Sequence, residues 1–349
     1  MKRAELADDS AASAYRRADR QELRRPESKQ SSVRLPGTDR CAECPARGRT
    51  KESDGFTMKN EQIEILAGTL QALNQGSYEA NGKTVRLQLS KERMEASHVL
   101  LPEERLETAR SGRKSPAPGE RCQYDCVRQD SFAAALQMSH DRPEGESADK
   151  PVLVLNFANP VNIGGGVYRG ASAQEEDLCR RSSLLRSLEN SRAVRYYGYN
   201  RGLHTHMGSD AILLSPEVEI IRDEYADFLE ETTIVAVLTC AAPMIVYGLE
   251  GLSEEEYREM FYRRIVRVLQ CAASCGYRDL VLGAWGCGAF GNDAAVVAEL
   301  FSKALKEFRW NAMPADELFR RVVFAVRSRN GESYNYRAFY QAFGGGRFC

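Results

Sequence analysis

The sequence has no long apolar segment. None of its hydrophobic runs approaches the roughly 18 residues that a membrane-spanning helix needs, and its polar N-terminus lacks the apolar core of a secretory signal. Basic and acidic residues nearly cancel, at 48 and 49 in 349 residues, so no overall field would draw the chain to nucleic acid or to an anionic membrane. These absences predict a soluble, cytoplasmic protein with no membrane partner.

Dense cysteine frameworks and clusters of metal ligands are also missing. The 10 cysteines are scattered, and Cys41 and Cys44 form a CxxC pair without the second Cys or His pair of a zinc finger. The histidines of His204–His206 form an isolated HxH pattern. We therefore expect reduced thiols and no metal site. The pairs Cys122–Cys126 and Cys271–Cys275 have helical spacing and are predicted to pack as small hydrophobic residues.

Composition divides the chain into three parts. Residues 1–57 are polar and show no sustained apolar period, which predicts a disordered or non-native tail. Residues 58–150 contain a predicted amphipathic helix with Ile63, Leu66, Leu70 and Leu73 on one face, a predicted strand over Thr84–Ser90 and a predicted helix over Asp130–Met138. They are interpreted as an extension packed on a main core, which spans residues 151–349.

The main core alternates buried strands with helices. A capping box of Ser253 and Glu256 predicts the start of one helix, and Asn292 or Asp293 the start of another. This alternation predicts a three-layer α/β/α sandwich with a mixed, largely parallel sheet, whose ligands gather beyond the carboxyl ends of the strands. Short, nearly continuous apolar runs mark the strands: Val152–Ala158, Thr233–Thr239, Asp279–Trp285 and Val322–Ser328.

Two of these strands run into glycine-rich loops. The first leads into "NPVNIGGG" and the third into "GCGAFGND", which a helix follows. Glycines let backbone N–H groups approach an anion, and a helix N-terminus adds partial positive charge. Neither loop matches the phosphate loop that ends in Lys-Ser/Thr, which disfavours nucleoside triphosphatases.

Three polar residues, Gln174, Glu175 and Glu176, follow the first loop after the seven-residue spacer Val167–Ala173. They precede a segment with helical character, so the acids are predicted to lie in a first helical turn. Acids in that position also compensate the helix dipole, and this alternative stays open. The combination with two glycine loops favours acid/base chemistry instead.

In this combined order the sequence resembles the bacterial-type poly(ADP-ribose) glycohydrolases of the macrodomain superfamily. The hallmark of that family is GGG followed at short distance by QEE, and "GAWGCGAFGND" is similar to its second diphosphate loop. The resemblance covers most of Met58–Phe343, including "YYGYN" and "DAILLSPEV". It implies a macrodomain-like catalytic core that needs no metal or other cofactor and hydrolyses the ribose–ribose O-glycosidic bond of poly(ADP-ribose), releasing ADP-ribose.

The resemblance also implies roles for single residues. Glu176 would be the catalytic acid/base, Glu175 would bind the distal ribose, and Phe290 would pack over that ribose. Asn162 would hydrogen-bond the same ribose, with Asn159 as the competing assignment. Cleavage requires a carboxyl group that protonates the leaving hydroxyl and then helps water attack. The other substrate-binding residues implied are Gly164, Gly165, Gly166, Gln174, Gly286, Cys287, Gly288, Ala289 and Gly291.

Two alternatives remain at this stage. Macrodomains also occur as readers that bind ADP-ribose without hydrolysis, and related hydrolases act on mono-ADP-ribosylated protein or nucleic acid. In each case the partner is ADP-ribose or its polymer on modified proteins. Three arginines, Arg180, Arg181 and Arg186, could meet polymer phosphates, but we expect them on a solvated helix face.

Overall fold

The computed structural model of the chain describes residues 51–106, 121–142, 150–328 and 331–346. Contacts divide the chain into Met1–Gly48 and Arg49–Cys349, and all described residues belong to the second unit. Residues 1–50 of the tail predicted for residues 1–57 lie outside the described residues. They include the CxxC pair of Cys41 and Cys44. The first helix begins at Lys51 and therefore includes the last residues assigned to that tail.

The strands build one large sheet and two small ones. In chain order they are β1 (Ser77–Ala80), β2 (Lys83–Arg86), β3 (His98–Leu100), β4 (Gln123–Val127), β5 (Leu153–Phe157), β6 (Ile212–Arg222), β7 (Phe228–Cys240), β8 (Asp279–Leu282), β9 (Arg309–Trp310), β10 (Met313–Pro314) and β11 (Arg321–Ala325). The large sheet has seven strands in the order β3-β6-β7-β5-β8-β11-β4. From β7 to β4 neighbours are parallel, whereas β3, β6 and β7 pair antiparallel.

Helices cover both faces of this sheet. In chain order they are α1 (Lys51–Gln75), α2 (Lys91–Met94), α3 (Ser131–His140), α4 (Gln174–Arg181), α5 (Leu184–Leu188), α6 (Val194–Gly202), α7 (Glu254–Cys275), α8 (Ala294–Glu307), α9 (Ala315–Leu318) and α10 (Tyr334–Phe343). One core, around Phe261, Trp285 and Phe301, joins the sheet to α7, α8 and α10. A second core, around Phe132 and Leu185, joins the opposite face to α1 and α3–α6. The predicted three-layer sandwich with a mixed, largely parallel sheet is confirmed.

Local signals fixed the predicted helix starts. The Ser253 hydroxyl accepts from the Glu256 N–H at 3.2 Å, and the Glu256 carboxylate accepts from the Ser253 N–H at 2.8 Å, so the capping box is formed. Asp293 caps α8 by accepting from the N–H groups of Ala295 and Val296. The four apolar runs correspond to β5, β7, β8 and β11, with ends that differ by a few residues.

Other predictions are wrong where contacts with distant parts of the chain determine the local structure. The strand predicted over Thr84–Ser90 is confined to β2, which forms a hairpin with β1. The spacing of Cys122–Cys126 is not helical in the structure, because Cys126 lies on β4, where alternate residues are buried. Strand β6 was not predicted at all. Among the described helices, none is long and apolar enough to cross a membrane.

Candidate active site

The two glycine-rich loops start from the carboxyl ends of two neighbouring strands of the sheet, β5 and β8. Phe157 at the end of β5 pairs with Cys240 at the end of β7, and β8 is the other neighbour of β5. The loop after β5 leads to α4 on one face, and the loop after β8 leads to α8 on the other face. The loops therefore face each other across the carboxyl ends of the strands, where open α/β sheets bind ligands.

Gln174 fastens the first turn of α4 to the end of β5. Its side-chain oxygen accepts from the Phe157 N–H at 2.8 Å, and its amide nitrogen donates to the Leu155 carbonyl at 2.9 Å and to the Ser131 hydroxyl at 3.0 Å. Both the oxygen and the nitrogen of the side-chain amide are thus hydrogen-bonded within the protein. The side chain positions the two acids that follow it.

The middle glycine of the triplet lies against both acids. Gly165 has a φ of +61°, and a Cβ at this position would lie 3.0 Å from Glu175 Oε2 and in collision with Glu176 Oε1. The next residue, Gly166, donates its N–H to Glu176 Oε1 at 2.7 Å. The seven-residue spacer therefore folds the triplet back onto the two carboxyl groups, and no residue with a side chain fits at 165 without moving them.

Glu175 is buried and held in its neutral form. Its Oε2 accepts from the Asn159 N–H at 2.8 Å, and its Oε1 accepts from the Asn156 amide at 3.2 Å. Burial raises the pKa of Glu175 to about 8, and the charge of Glu176 adds to the rise, although both hydrogen bonds oppose it. At neutral pH this carboxyl group is therefore mostly protonated.

Glu176 has one carboxylate oxygen fixed and one without a partner. Only 7% of the residue is exposed, so the carboxyl group is not in bulk solvent. Its Oε1 is fixed by Gly166, whereas Oε2 is buried and has no hydrogen-bond partner in the described parts of the chain. Buried polar atoms in folded proteins are almost always hydrogen-bonded, so an orphan of this kind calls for a ligand.

The two asparagines before the triplet differ in what they contact. Asn159 Oδ1 accepts from the N–H groups of Val161 and Asn162, at 3.0 and 2.8 Å, and so shapes the loop. The half-buried Asn162 side chain has no hydrogen bond to any other described residue. Of the two, Asn162 is the one whose amide is available to a ligand.

The loop after β8 is held rigidly. Gly286 has a φ of +76°, and a Cβ there would lie 2.6 Å from the Ala242 Cβ. Asn292 donates to the carbonyls of Pro243 and Gly286, at 2.8 and 3.0 Å, and accepts from the Tyr257 hydroxyl at 2.8 Å. Because these contacts fix the base of the loop, its tip from Gly288 to Phe290 is presented in a defined shape.

A cavity of about 440 Å³ lies between the first turn of α4 and the second loop. Five of the predicted substrate-binding residues line it: Gln174, Gly286, Gly288, Ala289 and Phe290. The others are not among its lining residues: Asn162, Gly164, Gly165, Gly166, Glu175, Glu176, Cys287 and Gly291. The acids contact the loop that follows Phe157, which itself lines the cavity. The Cys287 thiol donates to the Trp285 carbonyl at 3.7 Å.

The chain is similar to known poly(ADP-ribose) glycohydrolases. The catalytic-domain model of the microbial-type poly(ADP-ribose) glycohydrolases matches residues 67–223. The poly(ADP-ribose) glycohydrolase of Thermomonospora curvata is 32% identical, with a TM-score of 0.70 over 81% of this chain and 100% of that chain. The chain belongs to this glycohydrolase family.

Two further structures of such enzymes contain ligands. The Thermomonospora curvata glycohydrolase bound to the inhibitor ADP-HPD is 31% identical, with a TM-score of 0.68 and the same coverage of 81% and 100%. The Deinococcus radiodurans glycohydrolase in complex with ADP-ribose is 31% identical, with a TM-score of 0.61 over 74% of this chain and 98% of that chain. No curated protein sequence matches the chain. The family, the macrodomain-like fold and the hydrolase class predicted from the sequence are confirmed.

Several residues that line the glycohydrolase cavity were not singled out from the sequence. Asp130 and Ser131 follow β4, Arg327 follows β11, and Asn335 lies in the first turn of α10. Since β4 and β11 are parallel to β8, their carboxyl ends lie at the same edge as the two glycine loops. The parallel register was the signal that could have indicated these positions.

Arg180 and Arg181 were predicted to lie on a solvated helix face, and this prediction is wrong. Arg180 and Arg181 are 2% and 1% exposed. Arg181 donates to Asp130 at 2.9 Å and to Asp177 at 2.8 Å, which joins α4 to the start of α3. Arg180 donates to the Ala171 carbonyl at 2.6 Å. These guanidinium groups brace the glycohydrolase site from behind and do not face solvent.

Proposed function

We propose that this glycohydrolase uses Glu176 as the acid/base when it hydrolyses the ribose–ribose O-glycosidic bond of poly(ADP-ribose) and releases ADP-ribose. The observation that carries this assignment is the carboxyl group itself. One oxygen is fixed by the Gly166 N–H, and the other is buried without a partner in the described chain. A substrate hydroxyl bound there would supply the missing hydrogen bond.

The tip of the second loop is suited to the diphosphate. The N–H groups of Gly288, Ala289 and Phe290 have no acceptor among the described residues, and all three residues line the cavity. Consecutive free N–H groups of this kind form an anion-binding nest. The first turn of α8 is less suited, because Asp293 already accepts from two of its N–H groups. The cavity beyond the nest would hold the nucleoside part of the terminal unit.

The distal ribose of that unit would then lie over the triplet, within reach of the Asn162 amide and of Glu175. In the first step Glu176 gives its proton to the oxygen of the departing ribose as the C–O bond breaks and positive charge develops on the bound ribose. In the second step the Glu176 carboxylate takes a proton from water as that water attacks the anomeric carbon. The sum is one water consumed and one free ADP-ribose formed.

Neutral Glu175 makes this cycle easier. Because its carboxyl group is mostly protonated at neutral pH, it does not oppose the negative charge that Glu176 acquires after the first step. It can also donate its proton to a ribose hydroxyl or accept from one. The adjacent acids therefore have different protonation states suited to different tasks.

The test is Glu176→Gln with Glu254→Gln as the matched control. Glu254 is an exposed acid in the first turn of α7, so it represents an acid that only compensates a helix dipole. Release of ADP-ribose from polymer should fall at least about a hundredfold in Glu176→Gln and stay unchanged in Glu254→Gln. Calorimetry with ADP-ribose should show that both variants still bind.

Unchanged turnover in Glu176→Gln would remove the assignment. Wild-type protein that binds ADP-ribose tightly and releases nothing from polymer would instead identify a reader. Parallel assays with mono-ADP-ribosylated protein and DNA substrates distinguish a polymer hydrolase from a hydrolase of single ADP-ribose groups.

A further inference from the structure

An exposed aromatic pair lies on the loops that follow α6 and β7. Tyr247, in the loop after β7, is 72% exposed. Its ring centroid lies 5.0 Å from that of His206, which follows α6, and the two ring planes are tilted by 48°. Tyr247 differs from the similarly exposed Tyr225 in being packed against a second ring, and nothing in the mechanism above uses this pair.

The backbone before Tyr247 is fastened to the second glycine loop. The N–H groups of Ile245 and Val246 both donate to the Phe290 carbonyl, at 2.9 and 3.1 Å. A Cβ at Gly291 would lie 3.3 Å from the Val246 backbone. Tyr247 therefore occupies a fixed position beside the residue expected to cover the distal ribose.

The backbone around His206 is hydrogen-bonded to the loop that carries Tyr247 and lies near the first glycine-rich loop. Its carbonyl accepts from the Met244 N–H at 3.2 Å, and its own N–H donates to Glu250 at 2.8 Å. Two residues later, a Cβ at Gly208 would lie 3.6 Å from the Cβ atoms of Pro160 and Ala241. Pro160 lies two residues before Asn162, so each ring of the pair belongs to a loop that adjoins one of the two glycine-rich loops.

The pair and the β11 wall of the cavity lie on opposite sides of β5 and β8. Ala242, which follows β7, lines the cavity on the side of the pair. The far wall of the cavity is formed by Arg327 and Asn335, which follow β11. The pair follows β7 and α6, and in the sheet β7 and β11 lie on opposite sides of β5 and β8. Strand β5, whose following triplet holds the Glu176 carboxyl, lies between β7 and β11 in the sheet.

We propose that Tyr247 and His206 form the subsite that stacks the adenine of the departing polymer unit. The inference rests on the proposed function. With the terminal nucleotide against the β11 wall of the cavity and its distal ribose at Glu176, the rest of the polymer would leave the cleft on the β7 side. The hydroxyl released belongs to the ribose of an adenosine, so an adenine lies one ribose away from the broken bond. Exposed aromatic rings on a fixed backbone are the usual platform for a nucleobase.

The experiment compares Tyr247→Ala with two other variants. Tyr225→Ala is the matched control, because Tyr225 is 79% exposed in the turn between β6 and β7. Tyr247→Phe keeps the ring and removes the hydroxyl. The kcat/KM for polymer should fall about five- to tenfold in Tyr247→Ala, mainly through KM, and should stay at the wild-type value in the other two variants. Calorimetric affinity for free ADP-ribose should be the same in all four proteins.

The outcomes separate this inference from the proposed function. If wild-type protein cleaves polymer and Tyr247→Ala matches Tyr225→Ala, the subsite is refuted and the hydrolase remains. Weaker binding of free ADP-ribose by Tyr247→Ala also refutes it, because the released product lacks the departing adenine. If wild-type protein binds ADP-ribose and cleaves no polymer, the proposed function itself fails and the subsite fails with it.

Discussion

Replacement of Gly165 by alanine tests the contact between the triplet and the two acids. Gly165 has a left-handed φ of +61°, and the added Cβ would lie 3.0 Å from Glu175 Oε2 and overlap Glu176 Oε1. The backbone cannot yield easily, because the Gly165 N–H donates to the Asn162 carbonyl at 3.1 Å. We therefore expect the Glu176 side chain to rotate away from Gly166.

The magnitude has two parts. A left-handed conformation costs an alanine roughly 1–2 kcal/mol relative to glycine. Loss of the hydrogen bond from Gly166 to the buried Glu176 side chain adds roughly 1–3 kcal/mol, because a buried group is left without its partner. The free energy of unfolding should therefore fall by roughly 2–5 kcal/mol. Turnover should fall at least about a hundredfold, since an acid displaced by an ångström no longer reaches the leaving oxygen.

Gly76→Ala provides the control. Gly76 ends α1 with a φ of +71°, and nothing lies within 4 Å of its added Cβ. This variant should lose only the roughly 1–2 kcal/mol of the backbone conformation, with unchanged turnover. Urea unfolding measures the stabilities, and ADP-ribose release from polymer measures turnover. If Gly165→Ala behaves like Gly76→Ala in both assays, the triplet does not hold the acids as described.

Two further predictions concern buried charges. Because burial raises the pKa of Glu175 to about 8, the folded protein retains a proton that the unfolded chain loses above about pH 4.3, and the free energy of unfolding falls as pH rises between these values. In urea unfolding, the free energy of unfolding of the wild-type protein should fall by an amount on the order of 4 kcal/mol between about pH 5 and pH 8, and Glu175→Gln should abolish this fall. An equal dependence of the free energy of unfolding on pH in both proteins would contradict the prediction. Asp279, at the amino end of β8, has a fully buried carboxylate paired with Arg142 at 3.0 Å, Arg321 at 3.5 Å and Arg320. Asp279→Asn should lower the free energy of unfolding by about 3–5 kcal/mol without changing turnover of the folded protein, and a reduced kcat at full folding would show that the two ends of β8 are coupled.

Strands buried on both faces could be predicted because each shows an uninterrupted apolar run. Strand β6 was missed because Pro216 and two glutamates interrupt its apolar pattern. One of these, Glu219, is nevertheless fully buried and accepts from the N–H groups of Gln88 and Leu89, at 2.8 and 3.0 Å. Partners about 130 residues away in the sequence satisfy this carboxylate, so no local window could have shown that the strand is internal.

The parts of the site that lie within continuous sequence motifs could be predicted from the sequence. The triplet and the two acids lie within one segment, and the second loop is continuous. Asn335 and Asp130 could not be assigned in this way, because they reach the cavity only through the order of the parallel strands. The burial of Arg181 has the same cause, since its partner Asp130 comes from another helix.

The need for two adjacent acids follows from where the first turn of α4 is placed. Successive helical residues point in different directions, so Glu175 reaches the end of β5 while Glu176 reaches the triplet. Two carboxylates this close would repel each other if both were charged. Burying Glu175 against the Asn159 N–H removes that conflict, because the proton stays on the buried group. The burial that lowers stability as pH rises above about 4.3 therefore also removes the repulsion that a second charged carboxylate would exert beside Glu176.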